Sequence, residues 1–423
     1  MYKTKKALLF SMIFVLFFSV NVFADGAKLP NAASHFTAKV QKDGSVTVSW
    51  DKVSNAESYT LERSMFSDTG YEVLSSALTE CRYVDYANGD YPYYRLTAQN
   101  ANGSGVRQVT SCTLQMTEKK RINVGDIVND VCISGEYMYT AESEKGFGIY
   151  RETDNGYDRL RYVKENQSSV EKILIHGKYL YAASFAPTTN NCQLRLYDVS
   201  FPEKPVFVEG MVLSGGGGIK SMDIKDGKLF VTTGTMYIFD LTYPGRLISV
   251  GRLTNVNCMC EDGGITYVAA SDKVSAYDIS NINRPGIYGS FDFYFEKLEK
   301  TALRKYYRYI NGIAAKNGYV AVFGKYGPQI VDFTNKNNPK PTTDYKKNMF
   351  LIEDTNFSVT VGNFVFISEN AKKNLRMYNI ANLKEGFIPC RSFFFGDTVK
   401  SVRCTDDNII ICAGSAGIII YER

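Results

Sequence analysis

The sequence predicts an all-β chain in which a small immunoglobulin-like β-sandwich precedes a seven-bladed β-propeller. From about Asp130 onward one unit recurs seven times, each closing on a third strand with an apolar-aromatic-acid ending. Those endings are Ile149-Tyr150-Arg151, Leu196-Tyr197-Asp198, Ile238-Phe239-Asp240, Ala276-Tyr277-Asp278, Ile330-Val331-Asp332, Met377-Tyr378-Asn379 and Ile420-Tyr421-Glu422. They stand 38 to 54 residues apart, the length of a four-stranded blade and too long for one hairpin. Ahead of the repeats, short alternating strands separated by turn clusters read as an antiparallel sandwich.

Residues 1–24 come first. Lys3, Lys5 and Lys6 precede a run from Ala7 to Val20 that is apolar except for Ser11 and Ser19, and Val22-Phe23-Ala24 lies before Asp25. A charged start, an apolar centre and a small-residue site predict a cleaved signal peptide and a secreted or cell-surface protein. No later stretch is apolar enough to span a bilayer, so no integral membrane span is expected after cleavage. No cysteine follows Ala24 to take a lipid, and the chain ends inside a predicted strand, so release or non-covalent retention is expected. Removing the three lysines from the net charge of +5 leaves +2 with both signs interspersed, which argues against a nucleic-acid surface. Nine cysteines cannot all pair within the chain. Cys132, Cys260 and Cys404 sit at a repeat-locked position and read as buried thiols; Cys258 and Cys260, two apart on one strand, make a poor disulfide.

Residues 29–115 form the sandwich, with strands expected at Phe36 to Val40, Ser45 to Trp50, Tyr59 to Arg63, Tyr93 to Ala98 and Val109 to Leu114. Val46-Thr47-Val48-Ser49-Trp50, Tyr59-Thr60-Leu61-Glu62-Arg63 and Tyr94-Arg95-Leu96-Thr97-Ala98-Gln99-Asn100, followed by Gly103 and Gly105, make the segment resemble a fibronectin type III domain. Where that family usually carries a corner tyrosine, this chain has Pro92 between Tyr91 and Tyr93.

The charged stretch from Met116 to Asn123 follows. The seventh repeat stops at Arg423 with three strands, and a ring leaves no open edge only if another segment supplies the fourth. Lys119 to Val124 is expected to do so, and the propeller is placed at 119–423. Within the repeats, turns are expected at Ser134-Gly135, His176-Gly177, Asp226-Gly227, Gly263-Gly264, Asn317-Gly318, Val361-Gly362 and Asp406-Asp407; several demand positive φ. The second to fifth repeats resemble LVIVD repeats, a bacterial surface-protein propeller family. The matching residues are Leu194-Arg195-Leu196-Tyr197-Asp198-Val199-Ser200 with Pro202 and Pro205, Ile238-Phe239-Asp240-Leu241 with Pro244, Tyr277-Asp278-Ile279-Ser280 with Pro285, and Ile330-Val331-Asp332-Phe333 with Pro339. The first, sixth and seventh repeats depart, with Arg151, Asn379 and Glu422 at the acidic position. That acid is expected to accept backbone hydrogen bonds in the following turn, not to bind a ligand. The resemblance implies a fold and an extracellular setting, with no reaction to transfer.

Candidate chemistry is sparse. His35 and His176 are the only histidines, one at a strand start and one in a turn, so Ser-His-Asp or Cys-His catalysis is not expected. Two histidines and no Cys-x-x-Cys spacing also leave no zinc site, and the Asp-x-Asp-x-Asp-Gly calcium loop is absent; no cofactor is expected. Ser214-Gly215-Gly216-Gly217-Gly218 lacks the Lys-Ser ending of a phosphate loop. Asp223, Glu261, Asp262, Asp292 and Glu353 lie near inner strands or loops, where paired carboxylates would suit a carbohydrate-active enzyme. The insertion Phe291 to Tyr309 carries the aromatic and Arg residues typical of recognition surfaces, and Arg304, Tyr306 and Tyr307 are the expected ligand contacts. Against that stands a structural role, with Phe291, Phe293 and Phe295 alternating as a buried outer strand. The sequence thus points to a binding protein for an unknown protein or glycan ligand, with the carbohydrate-active enzyme as the alternative.

Overall fold

The computed structural model describes residues 28–423 except 88, 155, 166–167, 215–216, 272, 282–284, 294–309, 325–326, 343–354 and 371. Among the described residues every regular element is a strand. Seven four-stranded sheets, each antiparallel throughout, follow one another along the chain and form the blades of a propeller. They span residues 130–163, 169–213, 221–256, 258–292, 312–341, 355–394 and 401–422, the last joined by a strand from upstream. First strands of neighbouring blades touch one another and so line the channel. Buried Val, Ile, Leu, Tyr and Phe of the second and third strands pack blade against blade.

The upstream strand closes the ring. Of the segment expected to do this, Lys119 to Ile122 belongs to the strand Thr117–Ile122, which pairs antiparallel with Ile418–Glu422, Ile122 lying opposite Ile418. The approach is tight: a Cβ on Gly417, at φ +84°, would sit 2.2 Å from the Ile122 carbonyl oxygen.

Two local rules explain the repeat. In the second to fifth blades the acid ending the third strand caps the turn that follows, as expected. Asp198 Oδ1 accepts from Ser200 N (2.8 Å) and Oγ (2.6 Å), Asp240 from Thr242, Asp278 from Ser280 N, and Asp332 from Thr334 N (2.8 Å) and Oγ1 (2.6 Å). These bonds favour the carboxylate; with Lys178 they draw Asp198 down to about 2. In the first six blades the first hairpin turn holds positive-φ residues. Asp226-Gly227, Gly263-Gly264 and Asn317-Gly318 have both residues left-handed. In the first, second and sixth blades the turn begins one residue later than the sequence suggested, at Gly135, Gly177 and Gly362, because Ser134, His176 and Val361 still belong to the strand.

The N-terminal module, residues 29–115 in the sequence reading, is one curled sheet. Its strands are β1 (Thr37–Val40), β2 (Val46–Ser49), β3 (Ser58–Ser64), β4 (Glu72–Leu78), β5 (Arg82–Asp85), β6 (Tyr93–Asn100), β7 (Gly103–Ser104) and β8 (Gln108–Leu114). They run in the order β4-β3-β6-β8-β1-β2-β5, with β7 paired to β6. Where two separate sheets were expected, the parallel pairing of β1 with β8 joins both halves into a curled half-barrel. Trp50 packs edge-on against Phe36 and Tyr59 inside it. Tyr94, fully buried, donates to Asp85 (2.7 Å), which also receives Arg63.

The module is seated on the sixth and seventh blades, and one apolar cluster runs through all three. Three asparagine amides of the sixth blade each donate to a module carbonyl: Asn363 to Gly89 (2.9 Å), Asn379 to Cys112 (3.4 Å) and Asn382 to Met65 (3.0 Å). Asn379 Oδ1 meanwhile accepts from Ala381 N (2.8 Å), the capping bond that Asp makes elsewhere. Asn therefore replaces Asp in the sixth repeat because this position needs an acceptor for the turn and a donor for the module.

Candidate functional site

The candidate carboxylates are already engaged or stand apart. Asp262 accepts from Gly318 N of the next blade (3.0 Å), Asp292 pairs with Lys273 (3.2 Å), and Glu261 pairs with Lys225. Asp223 is exposed at the channel and acts electrostatically on Arg403. Glu353 lies outside the described residues, as do Arg304, Tyr306 and Tyr307. Phe293 of the same insertion is buried and meets Phe291 edge-on at 5.2 Å, the packing role set against recognition.

An ion pair that sequence reading passed over crosses the channel. Arg403 on the first strand of the seventh blade donates from Nε to Asp130 Oδ1 of the first blade (2.8 Å) and from Nη2 to Oδ2. Its Nη1 reaches Met222 O of the third blade (2.9 Å), and Ile173 N of the second blade donates to Asp130 Oδ2 (3.1 Å). Lys172 donates to Lys400 O (3.5 Å). The third and seventh blades are not neighbours, so Arg403 spans the channel, and together with Asp130 it ties four blades together. Burial opposes ionisation of Asp130, but Arg403 and Lys172 outweigh it and hold the carboxyl below its usual range. Burial lowers the Lys172 ammonium, with Asp130 opposing. Around this pair lie thiols, not disulfides: burial raises Cys132, and Cys412 to about 12, leaving both protonated and unreactive.

An open cleft of about 810 Å³ lies on the rim between the first and second blades. One wall is the face of the strand Asn191–Asp198, whose alternation turns Gln193, Arg195 and Tyr197 the same way. Arg195 Nη2 donates to Gln193 Oε1 (2.9 Å), while Nη1 stands 3.8 Å from Glu165 Oε2. Glu165 is 1% exposed and accepts from Tyr197 OH (3.1 Å); burial raises its pKa, with Arg195 opposing. Phe207 and Gly210, on the outer strand Val206–Leu213, complete the wall, and Val163 and Lys164 of the first blade face it. Tyr197 is locked edge-on between Phe147 (5.0 Å) and Phe207 (5.7 Å). The signal in the sequence was Arg195 itself, a cation inside an apolar third strand, which the repeat pattern absorbed.

No protein-family model matches the chain, and no curated protein matches it. Solved structures do. A chain of the mitotic checkpoint complex is 11% identical with a TM-score of 0.50, covering 73% of this chain and 92% of that one. The WD40 propeller domain of Doa1 is 11% identical (TM-score 0.47; 73% and 95%). Sqt1 of Chaetomium thermophilum, bound to the N-terminus of ribosomal protein L10, is 10% identical (TM-score 0.48; 92% and 96%). At such identity the likeness is one of fold alone: this chain is a seven-bladed β-propeller carrying an all-β N-terminal module.

Proposed function

We propose that the chain is an exported interaction protein, secreted or held at the cell surface, whose propeller presents the recognition face. In this reading residues 1–24 are a signal peptide, 29–115 a fibronectin type III-like module docked on the ring, and 119–423 an LVIVD-type propeller. The observation that carries it is a contrast. Of the four described candidate acids, Glu261 and Asp292 pair with lysines, Asp262 accepts a backbone N–H and Asp223 is exposed, whereas the rim cleft offers Arg195 and Phe207 to an incoming surface. Aromatic and Arg side chains are the common anchors of protein interfaces. The mitotic checkpoint complex supplies a precedent for this fold within a protein assembly.

Arg304, Tyr306 and Tyr307 belong to the proposal as a second contact region. Protein and glycan arrays probed with the chain from Asp25 test the reading. Reproducible capture of a protein or glycan without turnover supports it, and the triple Ala variant should weaken capture at least tenfold with unchanged melting. Turnover of a glycoside, abolished by Asp223→Asn or Glu261→Gln, would replace it with the carbohydrate-active alternative.

A further inference from the structure

We propose that the cleft between the first and second blades is a docking groove for an extended segment of a partner protein carrying carboxylates among apolar side chains. The inference rests on the interaction reading above and fixes its place and ligand chemistry.

Arg195 supplies the charge of the cleft. In the sixth blade the equivalent residue, Arg376, has Nε 2.9 Å from Glu369 Oε2, a close ion pair. In the second blade the acid facing Arg195 is Glu165, which precedes the first strand, stands 3.8 Å away and lies behind the guanidinium in the protein interior. Lys164 is exposed across the cleft. At the rim, Arg161 donates to Glu203 O (3.3 Å), a neutral carbonyl. Glu203 itself is exposed at the rim, and Glu209 is half-buried and occupied by Leu247 N (2.8 Å). An entering carboxylate therefore meets two cations in a partly dry wall, where charge-assisted bonds are strongest.

The outer strand supplies the apolar surface. Val206, Phe207, Val208 and Val212 are 61%, 55%, 40% and 63% exposed. The closing strand of the seventh blade carries Glu118, Lys119, Lys120 and Arg121, and the outer strand of the first blade Arg159 and Arg161. Edge strands are normally protected by such charges, and this one carries only Glu209. Among the described residues no strand pairs with its outer edge, which suits strand addition, in which main-chain bonds supply affinity and side-chain pockets specificity.

Gly210 keeps the groove open. It lies opposite Arg195 in the ladder, and a Cβ there would meet the Phe207 ring at 3.4 Å and Arg195 Cγ at 3.6 Å. These are ordinary contacts, so Gly210→Leu should fill the groove without disturbing the blade.

The test titrates the full chain against labelled decapeptides of alternating Val and Asp, with matched Val-Asn and Val-Lys peptides. Binding of the Asp peptide alone is expected, weakening with salt and about tenfold on Lys164→Gln or Arg195→Gln. Gly210→Leu should abolish it at unchanged melting temperature. Arg195→Gln can unsettle Glu165, so Lys164→Gln and Gly210→Leu carry the test if that variant unfolds. Equal binding of the Asn or Lys peptides, indifference to Gly210→Leu, or no peptide binding overturns the groove. Concentration-dependent dimerisation lost in Gly210→Leu would overturn it in favour of a second copy as the occupant. An array partner captured equally by Gly210→Leu would leave the interaction function standing while the groove fails.

Discussion

Asp130 and Arg403 show how one buried pair can organise a ring. Removing one partner of such a pair leaves a charge in the interior without compensation. Arg403→Met should therefore cost about 3–5 kcal/mol in chemical denaturation, and Asp130→Leu combined with Arg403→Met should cost less than Arg403→Met alone. The pH dependence separates them further. In the native chain the folded pKa of Asp130 is depressed, so its contribution is complete above the unfolded value of about 4 and is lost as pH falls through the folded value. In Arg403→Met only Lys172 and the Ile173 N–H still oppose burial, so the folded pKa rises and the variant should gain stability relative to the native chain as pH falls from 7 towards about 4. Thermal melts across that range check the sign. None of this was visible in sequence, because Asp130 and Arg403 meet only through ring closure.

At the scale of elements, what is local was legible and what is non-local was not. Third-strand endings and their Asx caps could be read because signal and bond lie within two residues. The turns of three blades were misplaced by one residue, since Gly tolerates either position and the strand register decides. Glu72–Leu78 went unread because, as an exposed edge strand, it has no apolar alternation to betray it. The rim cleft depends on the spacing of two blades and escaped for the same reason as the ion pair. Asn379, noted only as a departure from the repeat, is the point where local and non-local demands meet. Asn379→Asp keeps the cap but sets a carboxylate against the Cys112 carbonyl, and should cost about 1–3 kcal/mol. Hydrogen exchange should show the loss concentrated at Gln108–Leu114, where the module meets the sixth blade, while the second to fourth blades stay protected.

Across the whole molecule, the segment joining the module to the first blade is also the outer strand of the last, so the chain is fastened at both ends of the ring. The charged residues of Thr117–Ile122 suit it to an outer edge, while Ile122 turns into the apolar cluster with Ile418 and Ile420. Fastening matters for recognition, because a preformed groove binds without first ordering itself. The most direct test replaces Lys120 and Arg121, which lie opposite Ile420 and Ile419, by proline in the full chain, removing the ladder donor that one of the two supplies and breaking the strand. Thermal unfolding and light scattering are then measured together. A broadened transition at lower temperature with association through the opened edge is the predicted result; a monomer with an unchanged melting curve would contradict the closed ring.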